Sequence, residues 1–299
     1  MKNGIWNIVA IVIAVIWGAT FVSSKILINA GLTPAEIMTI RFVIAYLCIL
    51  PISLTKALKS QKGLKSFICE NKKDELKMML VGITGGSLYF IFENTALEYT
   101  QASNVSIIIT ATPLLTMLAS AKAIKKKAFL FSAISLVGVA AVVLNGELVL
   151  KLHPMGDLLT LGAAVCWVIY SLMLVSLEKN YSTEMITRKV FFYGVLTMLP
   201  SYLFQPWSAT LELMSNPIIW GNLLFLGCLA SFGCFFLWNA VLKRLGAVQA
   251  NNFLYVIPLA TALLAIPVLG ERFTWVSVLG TALIFTGMYF ASKSIQITK

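Results

Sequence analysis

Four ionisable side chains stand inside or at the edges of long apolar runs: Lys25, Arg41, Glu93 and Glu271. A charge held out of water is expensive unless it is paired, so each needs a partner or a task. Two readings stay open. Either the four make an outer gate of ion pairs that form and break, or Lys25 snorkels while Arg41 pairs statically with Glu93 or Glu271. Glu93, a lone acid late in an apolar run, is also the candidate for coupling to protons. Aromatic residues accompany these charges. Trp17, Tyr89, Trp167, Tyr170 and Trp238 either wall a cavity that stacks on a flat ligand or attracts its ammonium group, or form a belt at the lipid headgroups.

Catalytic chemistry has less to stand on. His153 is the only histidine and no HExxH or GxSxG motif occurs, so a histidine zinc site or a histidine-activated nucleophile cannot be assembled. Asp74 and Asp157 fall at or beyond the ends of apolar runs. The five cysteines include no CxxC pair; Cys48, Cys166, Cys228 and Cys234 lie in apolar runs and Cys69 in a basic loop. No metal, cofactor or enzymatic activity is expected. A nucleotide-driven pump is also excluded for the chain alone, since it has no GxxxxGK[ST] loop.

The elements that must position these residues follow from composition. Of 299 residues, 59% are hydrophobic and 12% charged, against about 25% charged in soluble domains. The chain is therefore an integral membrane protein. Crossing the bilayer needs roughly 20 mostly apolar residues. Ten such runs are readable, over Ile5–Ile28, Pro34–Leu54, Leu76–Ala96, Thr100–Ala121, Ala128–Asn145, Gly156–Leu177, Thr187–Gln205, Ile218–Leu242, Ala247–Leu269 and Thr274–Ala291. They are too long, and apolar on too many sides, for barrel strands. Lys2 before the first run resembles a secretory leader, but the run is too long and no small-residue cleavage site follows, so it reads as a span.

Basic residues orient the spans. With a cytoplasmic N-terminus, only Lys151 and Arg272 of the 23 lysines and arginines fall in outer loops, and only Lys25 and Arg41 inside spans. Both termini are then cytoplasmic, and Arg41 sits roughly 10 Å below the outer edge at about 1.5 Å per residue. The net charge of +11 needs no nucleic acid to explain it. The loop from Lys56 to Lys77 is a topology signal, or in addition a contact for anionic lipid headgroups.

The chain also resembles itself. With Gly82 laid on Gly227, identities follow without a gap at Phe90 and Phe235, Asn94 and Asn239, Leu97 and Leu242, Ala102 and Ala247, and Pro113 and Pro258. Five spans on each side of this match give two opposed halves, 1–146 and 147–299. The expected fold is all-α: ten membrane helices as two inverted five-helix repeats, with a substrate site near the midplane between them. Ser103, Ser106, Thr110 and Pro113 share one stripe, and the match carries the last three to Asn251, Tyr255 and Pro258. With Asn94 and Asn239, these residues either line the cavity or act as interhelical glue. Gly82, Gly86, Tyr89 and Glu93 share a face of the third run, where the glycines serve close packing.

Several segments resemble the EamA branch of the drug/metabolite transporter superfamily: IWGATFVSSK, RFVIAY, the ALEYT-x-ASN link with its following PL, and PLATALLAIPVLGERFTWVSVLGTALIFTG. The resemblance spans nearly the whole chain. It implies a cofactor-free secondary transporter in the cytoplasmic membrane, an exporter or exchanger of small metabolites such as amino acids, working by alternating access. A channel or facilitator is the alternative, and an intramembrane enzyme the more remote one. The family's acid after the fourth span, matched by Glu271 after the ninth, is missing from the first half, where KAIKKKAF stands. A role needing that acid twice is therefore not supported.

Overall fold

The computed structural model describes residues 2–60, 63, 67–69, 71–100, 102–120, 126–144, 154–204, 206–269 and 275–296. Every regular element among them is helical. In chain order these are α1 (Lys2–Asn29), α2 (Pro34–Lys59), α3 (Lys72–Tyr99), α4 (Ala102–Ile109), α5 (Thr112–Ala119), α6 (Lys126–Leu144), α7 (Pro154–Leu177), α8 (Thr183–Met198), α9 (Leu211–Ser215) and α10 (Pro217–Leu245). Then follow α11 (Ala247–Asn251), a 3₁₀ stretch Asn252–Val256, α12 (Ile257–Leu269) and α13 (Trp275–Gln296).

The ten-span expectation, with its two inverted five-helix repeats, is corrected. Among the described residues six helical segments are long and apolar enough to cross a bilayer: Gly4–Asn29, Pro34–Lys59, Lys72–Tyr99, Pro154–Leu177, Pro217–Leu245 and Ala247–Leu264. A further apolar helix, Val278–Ala291, is shorter. Breaks in the chain explain part of the difference. The run read as Thr100–Ala121 divides into two helices of 8 residues, separated at Thr110 and Ala111, because Pro113 in the first turn of α5 has no N–H to continue the ladder. The run read as Thr187–Gln205 gives 16 α-helical residues, which pass at Leu199 and Pro200 into a 3₁₀ turn. The remaining expected spans abut residues outside the description.

Two long helices contain a widened turn. α3 is π-helical over Ile83–Ser87, and α10 over Phe225–Gly233. Such turns displace backbone groups from the regular ladder and recur at functional sites. In α3 the geometry also needs small residues. A Cβ on Gly85 would lie 2.2 Å from the Tyr170 ring, and one on Gly82 2.5 Å from Tyr193 Cβ. The close approach of α3 to α7 and α8 thus depends on those glycines.

Helix faces separate cleanly. On α1, Ile5, Ile8, Val12 and Val15 are exposed, at the spacing of one helical stripe, while Ala10, Ile13, Ala14, Trp17 and Phe21 are buried. In a membrane the exposed stripe meets hydrocarbon rather than water. The buried stripe faces the core, where α1 packs on α10 and α12, α2 on α8 and the π turn of α10, and α3 on α7 and α8. α6 and α13 pair with one another, with Ser135 Oγ donating to the Ile284 carbonyl at 3.3 Å.

One buried carboxylate ties the start of α2 to a distant loop. Thr33 and Glu36 form a capping box, with Thr33 N donating to Glu36 Oε2 at 2.7 Å. Glu36 Oε1 also accepts from the backbone of Ser208 at 2.5 Å and of Ala209 at 2.7 Å. Removing this acceptor strands amide donors of two segments. Glu36→Ala is therefore expected to destabilise the protein by roughly 1–3 kcal/mol, read as a lowered midpoint of thermal unfolding in detergent.

Candidate functional site

The helices converge on a central cavity of ≈ 30 Å³, lined by twelve residues including Trp17 and Thr20 of α1, Arg41 of α2, Tyr89, Phe90 and Glu93 of α3, Trp167 of α7 and Phe235 of α10. One water needs about 10–15 Å³ of such space, so the cavity holds a water or two and no metabolite.

Six of the twelve lining residues are aromatic. The Trp17 and Trp167 rings meet edge to face with centroids 5.2 Å apart, and Tyr89 lies 5.1 Å from Trp167. Trp17 Nε1 donates to the Ala230 carbonyl at 3.0 Å, inside the π turn of α10. The turn thereby fixes one wall of the cavity through its backbone.

Arg41 and Glu93 are the charged members of that lining, each 2% exposed. Arg41 Nε donates to Ser231 Oγ at 2.9 Å, and its guanidinium lies 4.2 Å from the Phe90 ring centroid. Glu93 Oε2 has no hydrogen-bond partner among the described residues. The two side chains are near enough for each to feel the other's charge, yet no ion pair within 4.0 Å joins them. Ser231, like the widened turn that presents it, carries no signal in the sequence. Phe90 and Phe235, by contrast, were legible as a pair in the chain's match to itself.

The other polar residues singled out from the sequence lie apart from this cavity. Tyr170 hydroxyl hydrogen-bonds Asn239 Oδ1, and Asn239 Nδ2 donates to Thr187 Oγ1 at 2.7 Å, linking α7, α10 and α8. Beside it, Asn251 Nδ2 donates to Thr116 Oγ1 at 2.8 Å and Ser171 Oγ to Asn251 Oδ1 at 3.4 Å. Asn94 Nδ2 reaches the Pro34 carbonyl at 3.4 Å. Ser106 and Thr110 are buried where α4 ends, Tyr255 packs beside Ile284, and the Trp238 ring stands 5.0 Å from Trp17. Lys25 Nζ donates to the Leu97 carbonyl at 2.5 Å. Glu271 and the side chain of Ser103 lie outside the described residues.

The opposite end of the bundle carries a polar cluster. Glu75 of α3 accepts from Lys189 and Tyr193 of α8 and from the Cys69 backbone, and Arg188 donates to the Phe67 carbonyl at 3.0 Å. Burial, together with the neighbouring Glu75 carboxylate, pushes the Cys69 thiol up to about 11, so it stays protonated at neutral pH. Of the basic loop between Lys56 and Lys77, Lys62 and Lys65 lie outside the described residues, while Lys56 pairs with Glu184 at 3.6 Å and Lys77 with Asp74 at 3.1 Å. Among the described residues no group of three or more His, Cys, Asp or Glu is placed to hold a metal.

Similarity to known proteins agrees with this architecture. The profile of the EamA-like transporter family matches the chain twice, over residues 4–144 and 154–293. The chain is 27% identical over 292 residues to the uncharacterized transporter YyaM of Bacillus subtilis (strain 168), covering 94% of this chain and 92% of that one. It is 26% identical over 291 residues to an uncharacterized transporter of Archaeoglobus fulgidus, covering 96% and 98%. A solved crystal structure shares the fold at a TM-score of 0.72 and 18% identity, over 97% of this chain and 98% of that chain. With both matches together spanning nearly its whole length, the chain belongs to the EamA-like transporter family, whose multi-pass membrane proteins carry small solutes across the bilayer rather than convert them.

Proposed function

We propose that this transporter is an exporter of small polar metabolites, amino acids or related compounds, that works by alternating access in the cytoplasmic membrane. The observation that carries the reading is the central cavity, with aromatic walls and two buried charges that do not pair. Such a site offers both an apolar surface and charge recognition, as small-molecule sites do. Its small volume supports a cycle in which the helices must part for solute to enter. The two family matches support a division at residues 146 and 147, with each domain contributing helices to the cavity.

Counterflow in proteoliposomes tests the reading. Vesicles preloaded with unlabelled amino acid should accumulate labelled amino acid from outside, and nucleobases, sugars and quaternary amines should not replace it. Counterflow confined to sugar phosphates would remove the amino-acid assignment.

A further inference from the structure

One end of the α6 and α13 pair gathers three lysines. Phe131 stacks on Phe290 with ring centroids 5.1 Å apart, and one helical turn further Ser135 bonds the Ile284 carbonyl. One number rises as the other falls, so the helices run antiparallel and Lys293 of α13 comes level with Lys126 and Lys127 of α6. All three lysines are exposed, and none forms an ion pair with a described acid. Like charges gathered at one level repel one another until an anion joins them.

Beside them a groove of ≈ 480 Å³ runs between α5 and α6, lined by Leu118, Phe129, Leu130 and Ala133, with Lys126 at one end. That volume lies in the range of small-molecule sites. Lys126, Leu130, Ala133 and Val137 share one stripe of α6 by their spacing. Leu118, Leu130 and Val137 are each more than half exposed. In a membrane protein such a stripe meets hydrocarbon, so the groove fills from the bilayer rather than from water.

We infer that the groove is a site for one anionic phospholipid, its headgroup on Lys126 and one acyl chain laid along Phe129, Leu130 and Ala133 against Leu118. Lys127 and Lys293 add to the positive field at the headgroup. The inference goes beyond the transporter reading and does not depend on it. The acyl chain gives little selectivity, because hydrocarbon surrounds it in the bilayer as in the groove. The headgroup supplies it: a lysine near an anionic lipid is worth roughly fivefold in affinity, and less at high salt. A zwitterionic headgroup carries the same phosphate but brings an ammonium toward the three lysines. The seated lipid also braces α5, whose Thr116 accepts from Asn251 of α11.

Native mass spectrometry of the purified full-length protein tests the site, with phosphatidylglycerol and phosphatidylcholine of the same acyl chains as probes. In low salt phosphatidylglycerol should bind at least about tenfold more tightly than phosphatidylcholine. Glycerol phosphate, a headgroup without chains, should not displace it. Lys126→Gln should cut the preference roughly fivefold and leave phosphatidylcholine binding unchanged, whereas Lys73→Gln, on α3, should alter neither. Phosphatidylglycerol with a photoreactive acyl chain should label α5 and α6 in the unaltered protein, a reading that needs no variant. Equal binding of the two lipids overturns the inference, as do label confined to other helices and an undiminished preference in Lys126→Gln. Displacement by glycerol phosphate would overturn it in favour of a site for free phosphate. A dimer whose formation expels the lipid would overturn it in favour of an interface between copies.

Discussion

Oxidative cross-linking of Cys48 to Cys228 is expected to stop transport, and reduction to restore it. The two thiols touch across α2 and α10, with sulfurs 3.8 Å apart. A disulfide needs about 2 Å between them, a shift within the reach of two side chains. Copper–phenanthroline supplies the oxidant, which takes two electrons as the two thiols lose their protons. The bond would pin α2, which carries Arg41, to the π turn that carries Ser231 and Ala230. A cavity of ≈ 30 Å³ cannot admit a metabolite until those elements separate. The account therefore requires uptake to fall at least tenfold in the oxidised protein. Cys48→Ser and Cys228→Ser should each make transport indifferent to the oxidant, and undiminished uptake in a fully cross-linked sample would show that α2 and α10 do not part.

The second large effect is expected at Asn239. Its amide joins three helices by bonding Tyr170 on one side and Thr187 on the other, and all three residues are fully buried. Asn239→Leu fills similar space but strands the Tyr170 hydroxyl in an apolar layer, at a cost of about 2–4 kcal/mol for the groups left unpaired. Transport should fall as well, because the link ties α7 and α10, which both line the cavity. The double variant Tyr170→Phe with Asn239→Leu should recover part of the stability, since removing both partners leaves fewer orphans than removing one. Strictly additive losses in thermal unfolding would show that the hydrogen bond contributes nothing specific.

Part of the candidate site's lining is legible in the sequence. Arg41 and Glu93 stood out because charge inside apolar sequence demands a reason, and both proved to face the central cavity with Trp17, Tyr89 and Trp167. Their relation was not legible. Sequence offered a pair or a gate, whereas the structure holds the two charges apart, because Ser231 and Phe90 take up one side of the guanidinium. Nor did sequence distinguish lining from glue among the polar residues. Asn239 and Asn251 lie on buried faces like the cavity residues, and only the position of Thr187 and Thr116 opposite them shows that their amides bridge helices.

The fold divides along the same line. Apolar composition identified a multi-pass helical membrane protein, since hydrocarbon leaves the backbone little else. Span number was misread, because a run of apolar residues says nothing of where a helix breaks. Pro113 splits one run into two short helices, and Pro200 helps end another in a 3₁₀ turn. The π turns were hidden as well. Small residues such as those of Ile83–Ser87 permit a widened turn, but the choice is made by what packs on it, here Tyr170 against Gly85.

The central claim is that solute crosses through a cavity exposed alternately to the two sides. Trans-stimulation in proteoliposomes tests it most directly: labelled amino acid outside, with unlabelled amino acid either present or absent inside. The account predicts saturable uptake that rises several-fold when the inside is loaded, because a loaded carrier returns faster than an empty one. Uptake that is linear in concentration and indifferent to the internal solute would contradict it and describe an open pore instead.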